Sequence, residues 1–257
     1  MTPAVDHYDR LLAEHYSWML GGDVPGLVPT QRELLLDLGV APGTGGGFAV
    51  DLGCGPGHTS LALAALGFET VLAVDLSRPL LAELTDYARE VPAVRPVLAD
   101  VRTVLRERVP VGTVDAVVCL GDTLTHLPSR GDVAALLNDV AAALAPDGVA
   151  VLSYRDLTVP LTGTDRFLPV RATDDRIMTS FLEYPDDDNA YTVVVHDLVH
   201  TRRDPGDDWT LRTSSYRKLR LSHEWVKRQC RTAGLRVVGD HQTTGGGLRT
   251  VALRLVG

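Results

Sequence analysis

The chain has 257 residues, 45% of them hydrophobic and 23% charged, which is enough to bury a substantial core in one or two domains. Its formal net charge of -8, without a basic stripe, argues against a protein that binds nucleic acid through the phosphates. No apolar run is long enough to span a membrane and the N-terminus has no signal-peptide pattern, so a cytoplasmic protein without membrane attachment is expected. The three cysteines lie far apart and indicate neither a zinc site nor a disulfide framework.

The first predicted segment, residues 6–39, is helical. Apolar and aromatic residues recur along it at intervals of three and four, and a break rich in glycine and proline at 21–26 divides it in two. Thr30 is the predicted N-cap of the second helix, which then runs from Gln31 to Leu38. The plain interpretation of this segment is an amphipathic helical cover that packs on the core.

Residues 48–154 alternate between strand-like and helix-like stretches, which predicts a parallel, doubly wound sheet. The first strand ends at Asp51 and leads into a turn that contains Gly53, Gly55 and Gly57. Glycines in such a turn permit positive φ and let a ligand approach the backbone and the first amides of the next helix. The Asp-x-Gly-x-Gly-x-Gly spacing is neither the fingerprint of dinucleotide-binding proteins nor that of P-loops.

Three further apolar runs of this region lead to an aspartate, namely Asp75, Asp100 and Asp122. Ligands of open α/β sheets bind at the carboxyl ends of the strands, where an acidic residue after the second strand accepts hydrogen bonds from ribose hydroxyls. The alternative is that each aspartate only caps the helix or turn that follows it. Capping explains any one of these aspartates well, but it is a weaker explanation for all of them together.

The glycine turn and the acidic strand ends together resemble the motifs of class I methyltransferases, which use S-adenosylmethionine (SAM). The stretch from Asp115 to Leu127 is similar, more narrowly, to part of glycine N-methyltransferase and related small-molecule N-methyltransferases. This resemblance implies SAM as the cofactor. No metal is expected, because no metal-ligand spacing occurs, and a metal held by Asp122 and Asp156 is a poorly supported alternative. The residues that the resemblance places at the cofactor are Gly53, Gly55 and Gly57 at the methionine, Asp75 at the ribose, Asp100 and Val101 at the adenine, the Leu120 carbonyl at the methionine amino group, and Tyr16 as a cover; Asp51 and Leu76 are further cofactor-binding candidates.

Three residues are candidates for catalysis. Arg155 matches an arginine that binds the substrate carboxylate in glycine N-methyltransferase; the alternative is an arginine paired with a neighbouring acid such as Asp156. Asp122 stands where that family has asparagine, and an ionised carboxylate would attract an ammonium group or take its proton but repel a carboxylate. His126 is a candidate base, although a lone histidine is more often structural.

After the fifth strand the pattern changes to strand-like runs without helices between them, over residues 166–217. We expect an antiparallel insertion that covers the carboxyl ends of the parallel strands and supplies a contact to a second copy in a homodimer or higher homo-oligomer. Tyr184 and Tyr216 of this insertion are predicted substrate-binding residues, because aromatic faces attract cations; cross-strand packing is the alternative explanation.

Residues 222–257 supply a closing helix, with Ser222 as its N-cap, and two closing strands. The predicted fold is therefore α/β, a Rossmann-like, doubly wound, mostly parallel seven-stranded sheet within a single domain over 1–257. The predicted function is transfer of a methyl group from SAM to a small polar metabolite at an amine nitrogen. Two alternatives stay open: an O- or C-methyltransferase of a hydroxylated small molecule, with Asp122 or His126 as base, and a SAM-binding protein without catalysis.

Overall fold

The computed structural model describes residues 6–44, 46–185, 191–242 and 247–257. The ends and loops of the predicted domain at 1–5, 45 and 243–246, and the turn of the insertion at 186–190, lie outside the described residues. A π-helical turn, Tyr8–Leu12, leads into helix α1 (Ala13–Met19), and α2 spans Val28–Asp37. The prediction of Thr30 as the cap of α2 was wrong. Pro29 lies in the first turn instead, where its fixed φ and missing N–H suit a helix start.

The central region alternates strands and helices as predicted. Its strands are β1 (Phe48–Leu52), β2 (Thr70–Asp75), β3 (Val94–Leu98), β4 (Val114–Cys119) and β5 (Leu144–Tyr154). Its helices are α3 (His58–Ala65), α4 (Arg78–Tyr87), α5 (Val104–Arg108) and α6 (Arg130–Ala143), with a short 3-10 turn, Thr123–His126, after β4. The strands run parallel in the order β5-β4-β1-β2-β3.

The insertion forms a second, four-stranded antiparallel sheet in the order β6-β7-β8-β9. Its strands are β6 (Phe167–Ala172), β7 (Arg176–Glu183), β8 (Thr192–Thr201) and β9 (Thr210–Leu219). The chain then returns to the first sheet through α7 (His223–Thr232), β10 (Leu235–Gln242) and β11 (Arg249–Leu255). The Ser222 hydroxyl caps α7 by accepting a hydrogen bond from the Trp225 N–H at 3.3 Å, as predicted.

The predicted fold class is confirmed. The complete first sheet has seven strands in the order β10-β11-β5-β4-β1-β2-β3, and β11 joins β5 in an antiparallel pair. Its central strands β1 and β4 are buried on both faces, which explains why they read as continuous apolar runs rather than alternating ones. Among the described residues, no helix combines the length and the apolar character that a membrane span requires.

One carboxyl group lies inside this core. Asp51 on β1 is 2% exposed, and the Ser60 hydroxyl of α3 donates a hydrogen bond to it at 2.6 Å. Burial raises the pKa of Asp51 to about 7, while the bond from Ser60 acts in the opposite direction. The native protein therefore holds a proton at Asp51 over a pH range in which the unfolded chain has already released it.

This buried acid predicts a loss of stability as pH rises. From about pH 4 to pH 7 the unfolded state binds fewer protons than the native state, so the free energy of unfolding falls by up to about 1.4 kcal/mol per pH unit. Asp51→Asn removes this dependence, and its stability relative to the parent should improve by about 2 kcal/mol between pH 5 and pH 8. Urea unfolding at both pH values measures the change. Asp86→Asn, at a side chain that is 66% exposed, is the matched control, and equal slopes for all three proteins would contradict the burial argument.

Candidate functional site

The N-terminal segment and the insertion meet above the carboxyl ends of β1, β2 and β4. The ring of Tyr16 lies over the glycine turn, because a Cβ atom added to Gly55 would stand 3.4 Å from it. From the insertion, the Nζ atom of Lys218 on β9 lies 2.7 Å from Oδ2 of Asp122, which follows β4 in the chain. The structure thus brings the strand ends, Tyr16 and the insertion to one location.

Two of the three glycines are explained by packing within the chain. Gly53 and Gly57 have φ of +75° and +96°, and added Cβ atoms would collide with Thr123 and Leu84 respectively. Gly55, with φ of +54°, instead faces the Tyr16 ring. Glycine is therefore required in this turn for two reasons, a left-handed backbone and the close approach of neighbouring side chains. Gly55 is the residue of the turn that lies beneath Tyr16.

Asp75 at the end of β2 holds the glycine turn in place. Its Oδ2 accepts a hydrogen bond from the Gly55 N–H at 2.9 Å, and its Oδ1 accepts one from the Ser77 N–H at 2.8 Å. Burial raises the pKa of this carboxyl, and the two amides partly offset the shift. Each oxygen keeps a lone pair for a further donor. Next to it, Leu76 is 37% exposed, so an apolar surface adjoins the carboxylate.

Asp100, after β3, has a partner that the sequence interpretation missed. Arg102 donates to it from Nε at 3.0 Å and from a terminal nitrogen at 2.6 Å, and the Arg102 N–H adds a bond of 2.9 Å. Burial opposes ionisation, but the bonds from Arg102 prevail and the pKa of Asp100 lies below its usual value. Val101 beside it is 8% exposed and packs in the core. The predicted contact of these two residues with adenine stays a prediction.

Leu120 and Gly121 form the turn after β4. The Leu120 carbonyl accepts a hydrogen bond from the Thr123 hydroxyl at 3.2 Å, and the Gly121 carbonyl accepts one from the Ser153 hydroxyl of β5 at 3.1 Å. Gly121 has φ of +72°, and no heavy atom lies within 4 Å of the position that a Cβ would take. The turn is therefore fixed by side chains behind it and open in front.

Asp122 and Arg155 are bonded to each other, which the sequence interpretation did not foresee. Asp122 accepts from the Arg155 N–H at 2.9 Å and from a guanidinium nitrogen at 2.8 Å. Lys218 adds its ammonium at 2.7 Å. Burial opposes the charge on Asp122, yet Lys218 and Arg155 hold its pKa well below the usual range. In the same way Asp122 outweighs the burial of Lys218 and raises the pKa of that ammonium.

The adjacency of β4 and β5 explains the pairing. The two strands run parallel with Cys119 opposite Leu152, so opposite charges placed just beyond both ends meet. The predicted alternative partner, Asp156, accepts instead from Thr158 and from the His223 N–H. Lys218 escaped the sequence interpretation, although one signal was present: a lysine near the end of the last strand of the insertion, in a chain whose basic residues are almost all arginine.

Aromatic rings close the site around His126. Its ring centroid lies 5.9 Å from that of Tyr8 and 5.4 Å from that of Tyr216. Burial, reinforced by Lys218, lowers the pKa of His126 to about 3, so the imidazole is neutral. Burial raises the pKa of Tyr216 to about 12. Tyr184 packs against the apolar cluster that contains Tyr216. Its ring, however, lies under the Arg220 guanidinium at 5.3 Å.

The polar, apolar and aromatic groups at this location fit a sulfonium nucleoside. Asp75 offers acceptor lone pairs, Leu76 offers an apolar surface, and the rings of Tyr8 and Tyr16 offer faces of the kind that attract a cation. The Ser77 hydroxyl, buried beside Asp75, has no hydrogen-bond partner within the described ranges. No group of three or more histidine, cysteine, aspartate or glutamate side chains in the described part of the chain is arranged to hold a metal ion.

Residues 49–148 match the family model described as a methyltransferase domain. The cypemycin N-terminal methyltransferase of a Streptomyces species is 34% identical over 140 residues, which are 49% of this chain and 54% of that protein. The glycine/sarcosine N-methyltransferase of Halorhodospira halochloris is 34% identical over 108 residues, 42% of this chain and 39% of that one. The matched region thus spans about half or less of these curated relatives.

The solved structures extend the similarity in fold to the whole chain. The CcbJ methyltransferase of Streptomyces caelestis superimposes with a TM-score of 0.77 at 21% identity, over 100% of this chain and 99% of that one. Its likeness includes the N-terminal segment and the insertion, which the family model does not cover. These findings identify residues 49–148 as a methyltransferase domain, with SAM as its cofactor, and over the remaining residues the similarity is one of fold.

Proposed function

We propose that this chain transfers a methyl group from SAM to the amine nitrogen of a small polar metabolite, and that residues 1–257 act as one domain in doing so. SAM supplies a methyl group on a positively charged sulfur, which moves to a nitrogen lone pair while the electron pair of the broken S–C bond returns to sulfur. The residues of the chain align the two reactants and keep water away from them. The contact between Tyr16 and the glycine turn supports a cofactor held under the N-terminal segment.

The charge states of Asp122 and His126 favour nitrogen over oxygen as the atom that accepts the methyl group. An alcohol has to lose its proton before it attacks, which requires a base, whereas a neutral amine carries a ready lone pair. Asp122 is neutralised by Lys218 and Arg155, and its lowered pKa makes it a weak base. The neutral imidazole of His126, whose pKa lies at about 3, is weak as well. These are the two bases that the O-methyltransferase alternative would use, so the amine is favoured.

The relatives agree with this choice in their names. The two curated relatives are described as an N-terminal methyltransferase and a glycine/sarcosine N-methyltransferase. We assign the cofactor to the glycine turn, Asp75, Leu76, Asp100, Val101 and Leu120, and the acceptor to the space bounded by Asp122, Arg155, His126 and Tyr216. Tyr184 is left on the rim of the acceptor site, since its ring is covered by Arg220.

The acceptor should also carry an acidic group. Lys218 and Arg155 together bring two positive charges to the single negative charge of Asp122. The Arg155 side chain is 46% exposed and uses one guanidinium nitrogen for Asp122, which leaves its other donors directed to solvent or a ligand. A planar fork of donors suits a carboxylate. An amino acid or a similar zwitterion matches this distribution of charge.

Asp75→Ala tests the cofactor assignment. Loss of the carboxylate removes acceptors for ribose hydroxyls and frees the Gly55 and Ser77 amides, so SAM binding should weaken by about 1–3 kcal/mol. Calorimetry with SAM and with S-adenosylhomocysteine measures the affinity. Asp86→Ala, at a carboxylate that is 66% exposed and pairs with Arg89, is the control. An unchanged affinity in Asp75→Ala would falsify the ribose assignment.

A panel of acceptors tests the reaction itself. Glycine, sarcosine, glucosamine, ethanolamine and catechol should be supplied with SAM, and the release of S-adenosylhomocysteine should be followed. We expect turnover of amines that also carry a carboxylate, and an increase in KM for them of about tenfold or more in Arg155→Ala. Arg89→Ala, at an exposed arginine just after α4, should behave as the parent. Turnover of catechol alone would favour the O-methyltransferase, and SAM binding without any turnover would favour the non-catalytic alternative.

A further inference from the structure

A buried lysine lies at the acceptor side of the site, and the proposed function assigns it no step. Lys218 on β9 is 8% exposed, and its Nζ lies 2.7 Å from Asp122 Oδ2 and 5.6 Å from the centroid of the Tyr216 ring. The chain has only two lysines, and the other, Lys227, pairs with Glu224 on the surface of α7. Burial alone would drive a lysine to its neutral form, so this ammonium depends on Asp122.

Lys218 completes the set of donors around one carboxylate. Oδ1 of Asp122 accepts from the Arg155 N–H, and Oδ2 accepts from the Arg155 guanidinium and the Lys218 ammonium. The Asp122 side chain is 9% exposed, so water offers little compensation for a missing partner. Without Lys218, Oδ2 would keep only the Arg155 guanidinium as a donor, and one cation instead of two would compensate the charge of the carboxylate. The ammonium form of an amine acceptor is the cation best suited to take the place of the missing one.

An acceptor ammonium in the place of the Lys218 ammonium would oppose methyl transfer. A protonated amine has no lone pair with which to attack, and a carboxylate in contact with it stabilises the protonated form. We propose that Lys218 is a positioning residue: by occupying Asp122, it prevents this carboxylate from becoming the counter-ion of the acceptor, so that the acceptor nitrogen arrives as the free amine. This inference rests on the proposed function, since it presupposes an amine acceptor.

The groups that face Asp122 allow the effect to be read from a pH profile. They come from β9, the residue after β5, the 3-10 turn and the N-terminal segment, namely Lys218, Tyr216, Arg155, His126, Tyr8 and Tyr16. Burial lowers the pKa of His126 to about 3 and raises those of Tyr16 and Tyr216 to about 12, and the pKa of Tyr8 is raised as well. Asp51, with a pKa of about 7, is common to the parent and the variants, so the difference between their acid limbs of kcat reports the amine of the bound acceptor.

The test compares Lys218→Met and Lys218→Arg with Lys227→Met. The probe is glycine, or the amine of the panel above that the parent turns over fastest, and kcat is measured at saturating acceptor from pH 6 to pH 9.5, because its acid limb follows the bound amine. In Lys218→Met the acid limb of kcat should move to higher pH by about one unit, with kcat at pH 7 about tenfold lower. Lys218→Arg should keep the parent profile, and so should Lys227→Met. The Kd for S-adenosylhomocysteine should change less than about twofold, because Lys218 serves the acceptor.

The double variant Asp122→Asn/Lys218→Met separates the proposed role from a structural one. It removes both charges, so its acid limb should return to that of the parent even if its kcat stays low. An acid limb that does not move in Lys218→Met, or one that stays shifted in the double variant, would overturn the proposal. If Lys218→Met alone does not fold, the double variant and Lys218→Arg still decide, since a shift in either contradicts the argument.

Failure of the proposed function would look different. In that case the parent binds SAM but releases no S-adenosylhomocysteine with any amine. The interaction between Lys218 and Asp122 is then measured by thermal unfolding instead. The lowered pKa of Asp122 stabilises the parent above the pKa of the unfolded aspartate, and this contribution is lost as pH falls further. The difference in Tm between parent and Lys218→Met should therefore narrow from pH 5 to pH 3. A difference that is independent of pH would show that Lys218 acts by packing, and would sink the inference as well.

Discussion

The carboxylate of Asp122 joins three parts of the chain that are far apart in sequence. It follows β4, it is bonded by Arg155 after β5, and it receives the ammonium of Lys218 from the last strand of the insertion. A buried charge with one partner removed is strongly destabilising, which makes these contacts conditional on one another. The antiparallel sheet is therefore held against the carboxyl ends of the parallel strands by a charge, in addition to its own apolar cluster.

The N-terminal segment depends on the same arrangement, because it packs on the insertion. His7 lies 2.9 Å from Asp197 of β8 and stacks on Tyr216 with ring centroids 4.2 Å apart. Glu14 accepts a hydrogen bond from Arg212 of β9 at 2.6 Å. Tyr16 of the same segment then reaches the glycine turn. The position of Tyr16 over the glycine turn thus depends on the insertion, so a disturbance of the insertion should affect both the turn and Asp122.

The sequence sufficed for the fold, and for the prediction that the acidic strand ends lie along one edge of the sheet, because both depend on backbone periodicity. Apolar runs that end in Asp51, Asp75 and Asp122 define parallel strands, and parallel strands present their carboxyl ends together. The pairing of side chains across the site could not be obtained in this way. Arg102 with Asp100, and Lys218 with Asp122, depend on rotamers and on the register between separate sheets, neither of which a periodic pattern contains. Thr30 failed as a cap for a local reason, since Pro29 offered an earlier start to the helix.

The aspartate at position 122, where the resembling family has asparagine, accounts for the composition of the rest of the site. An asparagine in a buried turn needs hydrogen bonds only, but an aspartate needs cations to compensate the loss of water. Arg155 supplies one, and it is partly exposed and also available to a ligand. Lys218 supplies the second and is buried, so it cannot be shared in the same way. One negative charge compensated by two positive ones leaves the pocket cationic, and the cationic sulfonium of the cofactor adds to that potential. An acceptor that brings an acidic group relieves this excess, whereas a protonated amine without one increases it, and selection by charge therefore begins before any contact with the methyl group is made.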